Sequence, residues 1–336
     1  MGDAGIWQKK LQIHKYSDAF AVPTGNMIHV FDNQGTFVPY TSKRKVGKAE
    51  YAKVDTQLDV EEIDVDYCDE DVVYIGFMRG HYGHFLVDSA VRLWALCEEE
   101  CAGKKLLITF EEVTPFIIEL FDYLEVDKTR FLLPKRPTRF RSILVPELSY
   151  FPCTYIAEEY LSPFNEVVKK VNLDKPIYDK LYLSRIHFSQ GKRELGEKDI
   201  QDIFEKNGYK VLYPEELSFQ EQVWYYKNCK TIVTTNGTIA HNILFAPDRT
   251  ELIILNRFNK WENTHQRAIN LIKNIRDRYV NVYVEGSDRD NSLMWRTEDF
   301  LKFCEEKSMS IPRQSIFRKV FLQLIFRLPL LYRWCK

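Results

Sequence analysis

The sequence lacks the features that mark several common classes of protein. Its seven cysteines are scattered, odd in number and without a CxxC pair, which argues against both a zinc site and a disulfide framework. No apolar run reaches the roughly 18 residues that a membrane-spanning helix needs. The first ten residues, MGDAGIWQKK, contain no apolar signal segment. These absences predict a cytoplasmic protein with reduced thiols.

The sequence also has almost no net charge and lacks the common cofactor-binding motifs. The formal net charge is −1, so no basic field favours nucleic acid, and we expect no nucleic-acid partner. The patterns GxxxxGK[ST], GxGxxG and HExxH are missing. Two DxD matches, at residues 64–66 and 288–290, lie in acidic or irregular segments, and we interpret both as solvated charge. We therefore expect neither a metal ion nor another cofactor.

The pattern of apolar runs predicts the fold class. From Asp179 onward, short apolar runs alternate with amphipathic segments in the order β-α-β-α-β-α-β-α-β, which is typical of a parallel sheet covered by helices. The N-terminal half repeats the pattern less regularly. We predict an α/β protein with Rossmann-like domains at residues 1–170 and 176–300, facing each other across a cleft, and a basic amphipathic helical tail at residues 301–336.

Polar residues follow the first predicted strand of the second domain. The run LYLSR ends in Ser184 and Arg185, and a loop with Lys192 and Arg193 comes next. Arginine presents a planar fork of donors that matches phosphate oxygens, so this strand end is a candidate anion site. For Lys192, a solvated charge run is the simpler interpretation.

The stretch IVTTNGTIAHNILFAP changes from strand to helical spacing at its glycine. Asn236, Gly237, Thr238 and Asn242 then lie near a helix N-terminus. Unpaired N–H groups and the positive end of the helix dipole favour an anion such as phosphate at that position. An ordinary strand-to-helix turn is the alternative.

The loop YPEELSFQEQ follows the second strand of the same domain. Glu215 and Glu216 carry carboxylates that could accept hydrogen bonds from ribose hydroxyls. Ser218 and Glu221 have the spacing of a helix capping box, which is a structural role.

The segment GHYGHFLVDSAVRLW of the first domain places His84, Asp88 and Arg92 at i, i+4 and i+8 of a predicted helix. A histidine beside a carboxylate is a candidate general base, because the carboxylate fixes the tautomer and supports the imidazolium. The alternative is a capped helix start with a surface pair between Asp88 and Arg92. We expect His81, Tyr82 and Arg92 on the acceptor side of such a site.

Five motifs together resemble a known family. GHFLVD, YLSR, GE at Gly196 and Glu197, GYKVLYPEELSFQEQV and NGTIAHNILFAP occur in the order and spacing of glycosyltransferase family 61, in its bacterial capsule and surface-polysaccharide branch. The resemblance covers residues 74–256. It implies a GT-B fold, a nucleotide-sugar donor, inversion at the anomeric carbon and no need for a divalent metal. Members often have His-Gly-Ala where this chain has Asn236, Gly237 and Thr238.

The resemblance and the residues together predict an inverting glycosyltransferase that moves a sugar from a uridine diphosphate sugar onto a surface or capsular polysaccharide or a lipid-linked glycan. The acceptor hydroxyl would be deprotonated by His84 with Asp88 orienting it, or by Asp88 directly. Two other classes of protein stay open: a module that binds a phosphorylated glycan without turnover, and a sugar-nucleotide epimerase.

The C-terminal tail, PRQSIFRKVFLQLIFRLPLLYRWCK, is basic, free of acidic residues and apolar at helical spacing. Such a helix can lie in the interface of an anionic membrane, which predicts an enzyme bound peripherally at the inner face of the cell membrane. The alternative is a tail that packs back onto the fold.

Overall fold

The computed structural model divides the chain into two compact units, Met1–Lys170 and Val171–Lys336. The structure describes residues 5–42, 57–188, 195–259, 263–287, 292–313, 320–322, 324 and 326. Within these residues no helix is long and apolar enough to cross a membrane.

The described part of the first unit contains short edge strands and longer central strands. Its strands are β1 (Gly5–Ile6), β2 (Ile13–Ser17), β3 (Phe20–Thr24), β4 (Met27–Phe31), β5 (Asp66–Met78), β6 (Lys105–Phe110), β7 (Phe131–Leu132), β8 (Thr138–Pro146), β9 (Tyr150–Phe151) and β10 (Tyr155–Ile156). Its α-helices are α1 (Tyr82–His84), α2 (Pro115–Tyr123) and α3 (Ser162–Lys170).

These strands form one large mixed sheet and one small sheet. The large sheet has the order β4-β3-β8-β5-β6-β7, with β2 also paired to β8, and the small sheet has the order β1-β10-β9. Strands β8, β5, β6 and β7 run parallel, whereas β2, β3 and β4 add antiparallel pairings. The parallel part therefore reverses its order between β5 and β8, because β6 and β7 lie on one side of β5 and β8 on the other.

The second unit contains a fully parallel sheet. Its strands are β11 (Lys180–Leu183), β12 (Lys210–Leu212), β13 (Thr231–Thr235), β14 (Glu251–Asn256) and β15 (Arg276–Asn281), and its α-helices are α4 (Glu197–Lys206), α5 (Phe219–Lys227), α6 (Thr264–Ile272) and α7 (Glu298–Glu306). The strand order is β12-β11-β13-β14-β15. This order reverses between β11 and β13, as in doubly wound nucleotide-binding folds. The predicted α/β class with parallel strands is confirmed, and both strand orders are consistent with Rossmann-like domains.

The core of the second unit extends beyond residue 300. Helix α7 buries Phe300, Phe303 and Cys304 against the strands, so the first residues that the sequence assigns to the tail belong to this helix. Further along, Leu322 packs against Leu195 and Leu293.

Candidate active site

In open α/β sheets, ligands bind outside the carboxyl ends of the strands, at the point where the strand order reverses. The second unit has this point between β11 and β13. Ser184 and Arg185 follow β11, and Asn236 and Gly237 follow β13. The sheet therefore brings two of the predicted polar segments to its switch point.

The end of β11 is held by a buried carboxylate. Glu197, the first residue of α4, accepts a hydrogen bond from the backbone N–H of Arg185 at 2.8 Å, and the Ser184 hydroxyl lies 3.5 Å from the same oxygen. Ser184 is fully buried, and its oxygen accepts from the N–H of Ile186 at 3.2 Å. Ser184 thus shapes the turn, and Arg185, half-buried with its guanidinium 4.7 Å from the Phe188 ring centre, is the charged group at the strand end.

Burial shifts the pKa values of both charged groups at this strand end. Burial raises the pKa of Glu197 to about 7, although the hydrogen bond from Arg185 and the nearby positive charge act in the opposite direction. Burial also lowers the pKa of Arg185, against the attraction of Glu197 and Glu215.

The turn after β13 is held open by a glycine. Gly237 has φ +142°, a conformation that L-residues with a side chain rarely adopt, and it precedes the 3₁₀ helix Thr238–Phe245. Within the described residues, the backbone N–H groups of Gly237 and Thr238 have no hydrogen-bond acceptor. The turn therefore presents two donors at the carboxyl edge of the sheet.

Arg257, which the sequence reasoning missed, lies beneath this turn. It follows β14 directly, is 8% exposed, and donates from Nη2 to the carbonyl oxygen of Asn236 at 2.8 Å. The Asn236 amide also donates to Asn256 at 3.3 Å, and Asn256 donates to Asn281 at 3.0 Å. A chain of amides thus joins the ends of three neighbouring strands. The signal in the sequence was the run ending in LNR, where polar residues follow a buried strand.

The remaining residues predicted on the donor side lie in different parts of the second unit. Asn242 is buried and donates to the Tyr226 hydroxyl at 3.3 Å, so it lies in the core beneath the turn. Glu215 is exposed in the short 3₁₀ helix Pro214–Glu216. Arg193 lies outside the described residues. The capping box between Ser218 and Glu221 is confirmed by both of its hydrogen bonds.

Two stacked aromatic rings, one of which contacts Glu216, were not predicted. His187 and Tyr213 stack with ring centres 3.9 Å apart and an interplanar angle of 10°, and His187 Nδ1 contacts Glu216 Oε1 at 2.5 Å. Both residues follow strand ends, of β11 and β12 respectively.

In the first unit, the predicted helix after β5 is irregular. Helix α1 continues as a π-helical turn, Phe85–Ser89, and then as a 3₁₀ helix, Ala90–Cys97. The apolar pattern cannot distinguish these forms, because their spacings differ by less than a residue per turn from that of an α-helix. Single π-helical turns inside helices occur frequently at functional sites.

The π-helical turn carries the predicted histidine–carboxylate pair. His84 Nδ1 lies 3.0 Å from Asp88 Oδ2. The Asp88 side chain is 2% exposed and that of His84 is 39% exposed, so the imidazole is the member that a substrate can reach. Arg79, which sequence reasoning missed, places Nε 3.4 Å from the same carboxylate oxygen and is itself buried. It follows β5, next to the point where the strand order reverses.

The three residues predicted on the acceptor side lie in different environments. His81 is exposed, with its ring centre 5.1 Å from that of His84. Tyr82 is half-buried, and burial raises the pKa of its phenol. Arg92 is buried and donates to the carbonyl oxygens of Pro146 and Tyr40, each at 2.9 Å. The alternative of a surface pair between Asp88 and Arg92 is therefore wrong, because both side chains are buried and Arg92 binds the main chain.

The first DxD segment forms surface ion pairs. Asp64 and Asp66 are exposed and both contact Arg136. Residues 288–290 lie outside the described residues. Across the part of the chain that the structure describes, no group of three or more histidine, cysteine, aspartate or glutamate side chains is arranged to hold a metal ion.

Comparison with known families identifies the class of protein. Residues 82–253, just over half of the chain, match the family described as Glycosyltransferase 61. The chain is therefore a glycosyltransferase, and it belongs to glycosyltransferase family 61. Comparison with curated proteins gave no match. The matched segment includes His84, Asp88, Arg185 and the Asn236–Gly237 turn, and it ends four residues before Arg257.

Proposed function

We propose that this glycosyltransferase transfers a sugar from a uridine diphosphate sugar to an acceptor hydroxyl with inversion and without a metal ion. The observation that carries the proposal is the arrangement at the switch point of the second unit, where the Arg185 cation and the N–H donors of the Gly237 turn come together and Arg257 lies behind the turn. The leaving group is a nucleoside diphosphate, and its developing charge must be neutralised. Arginine side chains and oriented N–H groups supply that neutralisation.

On the acceptor side, His84 acts as the general base. Its Nδ1 faces Asp88, so Nε2 accepts the proton of the acceptor hydroxyl. The hydroxyl oxygen then forms a bond to the anomeric carbon as the bond to the diphosphate breaks on the opposite face. Asp88 orients the imidazole and supports its positive charge, and Arg79 holds Asp88. The exposure of the two side chains favours this assignment over Asp88 as the direct base.

We further propose a GT-B arrangement, with the acceptor side on residues 1–170 and the donor side on residues 176–300. His81 and Tyr82 remain acceptor-side candidates, because they immediately precede His84. Arg92 is left out because main-chain carbonyls engage its guanidinium. Metal independence is proposed from the family resemblance and from the surface ion pairs of the first DxD segment.

The acceptor is proposed to be a surface or capsular polysaccharide or a lipid-linked glycan, built at the cytoplasmic face of an anionic membrane. The tail supports this location. Val320, Phe321 and Leu324 are 50%, 59% and 52% exposed, while Leu322 packs inward. An apolar outer face on a basic segment suits a membrane interface.

The central experiment incubates the protein with a panel of nucleotide sugars, with and without glycan acceptors, and follows products by mass spectrometry. We expect free uridine diphosphate to form slowly with water and quickly with the right acceptor. A new sugar nucleotide would instead identify an epimerase. Binding of phosphorylated glycans with no turnover of any donor would identify a binding module and contradict the proposal.

A further inference from the structure

The Asn236 carbonyl is the acceptor for a buried cation. Arg257 Nη2 lies 2.8 Å from this oxygen, and a Cβ atom built on Gly237 would lie 3.6 Å from the same nitrogen. The guanidinium therefore packs directly against the turn. Because Arg257 directly follows β14, the strand next to β13, only the folded sheet brings the two together.

Holding this carbonyl fixes the direction of an N–H group. The peptide between Asn236 and Gly237 is planar and trans, so its C=O and N–H point in nearly opposite directions. An arginine that binds the carbonyl oxygen thereby turns the Gly237 N–H away from itself. The Asn236 side chain is held as well, through Asn256. The turn is thus fixed through its main chain and its side chain.

We propose that Arg257 is a positioning residue for the donor diphosphate: it holds the Asn236–Gly237 peptide so that the N–H groups of Gly237 and Thr238 face the phosphates. This inference rests on the proposed function of the same site. It also gives Asn236 a role, because its carbonyl and amide serve the geometry of the turn. The family's frequent histidine at that position is then replaced by a residue that acts through Arg257 and Asn256.

The test compares binding of uridine diphosphate and of uridine by calorimetry, in the parent and in Arg257→Gln. We expect the variant to bind uridine diphosphate about tenfold more weakly, from the loss of well-oriented N–H bonds to a charged group, and to bind uridine within about twofold of the parent. The ratio of the two affinities is the decisive quantity, since a general loss of structure weakens both ligands equally.

Arg276→Gln is the matched control. Arg276 also donates to a main-chain carbonyl, that of Arg249, at 2.9 Å, but it lies at the amino end of β15, away from the switch point. We expect its affinity ratio to equal that of the parent. If Arg257→Gln fails to fold, Arg257→Lys replaces it: lysine keeps the charge without the planar fork, and the ratio should still fall.

Two results would overturn the inference in different ways. An unchanged affinity ratio in a folded Arg257 variant, beside a parent that binds uridine diphosphate, would remove Arg257 alone and leave the proposed function standing. A parent that binds no uridine, guanosine, adenosine or cytidine diphosphate would remove the proposed donor site and this inference together.

Discussion

The two switch points of the molecule follow one topological rule but carry opposite chemistry. In the first unit, a buried carboxylate is held between an arginine and a half-exposed histidine. In the second, the carboxylate of Glu197 is buried behind the strand end, and the groups at the edge are cations and N–H donors. One arrangement suits proton removal, and the other suits an anion. Sheet topology therefore selects the place of each site, whereas a few residues after each strand select its chemistry.

The largest effect is expected at the first switch point. Replacing His84 by Ala should lower turnover by about 10²- to 10⁴-fold, the usual contribution of a general base, and leave the affinity for uridine diphosphate unchanged. Asp88→Asn should lower turnover as well, because the amide cannot support the imidazolium in the same way. Initial rates of diphosphate release with a saturating acceptor measure both effects.

The control for this experiment is His14→Ala. His14 also pairs with a carboxylate, that of Glu147 at 3.1 Å, but on the exposed face of β2. It should retain parental turnover. Full activity in both His84→Ala and Asp88→Asn would show that this cluster does not hold the base.

At the second switch point, Arg185→Ala should weaken binding of uridine diphosphate by about 10- to 100-fold, because a charge-assisted contact to phosphate contributes about 1.5–3 kcal/mol. The affinity of Arg185→Lys for uridine diphosphate should lie between that of Arg185→Ala and that of the parent. Calorimetry with the free nucleotide gives both values. An Arg185→Ala protein that binds as tightly as the parent would remove this residue from the donor site.

Much of the second unit could be predicted from the sequence, because each buried strand ends in visible polar residues. The Gly237 turn and the Ser218 capping box are local features that depend on residues a few positions apart. The contact between Arg257 and Asn236 is not a local feature, since it depends on β14 lying beside β13. Nothing in the order of apolar runs states which strands become neighbours.

Helix geometry explains a second group of differences between the predicted and the observed positions of residues. Asn242 was expected near the helix N-terminus, and four residues of α-helix would turn it only about 40° away from Thr238. In the observed 3₁₀ helix the same step turns it about 120°, towards Tyr226. The π-helical turn before Ala90 likewise has no signature in the apolar pattern. The α-helical spacing predicted Arg92 on the same face as His84 and Asp88, but that face does not continue where the helix changes from π-helical to 3₁₀ geometry.

The buried acid of the second unit predicts a pH dependence of stability. Burial raises the pKa of Glu197 to about 7, above its ordinary value of about 4.3, so the folded state keeps the proton longer than the unfolded state. The parent should therefore lose stability relative to Glu197→Gln as pH rises from about 4.3 to about 7. We expect a change on the order of 2 kcal/mol in the difference between their free energies of unfolding, measured by urea denaturation at pH 5 and pH 8.

Glu221→Gln provides a control of opposite sign. Its hydrogen bonds from Lys175 and Ser218 lower the pKa of Glu221 to about 2. Its stabilising contribution is therefore complete at both pH 5 and pH 8, and its difference from the parent should not change between them. Parallel pH curves for Glu197→Gln and the parent would contradict the buried-acid assignment.

The smallest effect on catalysis is expected from the tail, which belongs to neither switch point. A chain that ends at Arg313 keeps the Pro312 carbonyl that accepts from Arg296, and it loses the packing of Leu322 on Leu195. We expect the free energy of unfolding to fall by about 1–2 kcal/mol, since buried Leu322 and partly buried Phe326 are removed and the entropy lost in ordering them is recovered. Turnover on a short water-soluble acceptor should equal that of the full chain, whereas sedimentation with vesicles containing anionic lipid should be lost.

Replacing Phe321 and Leu324 by Ser in the full chain separates the two faces of the tail. The inward contact of Leu322 stays, so stability should be unchanged, and vesicle binding should still fall. If the double variant binds vesicles like the parent, the exposed face is not the membrane contact, and the location proposed for the enzyme fails with it.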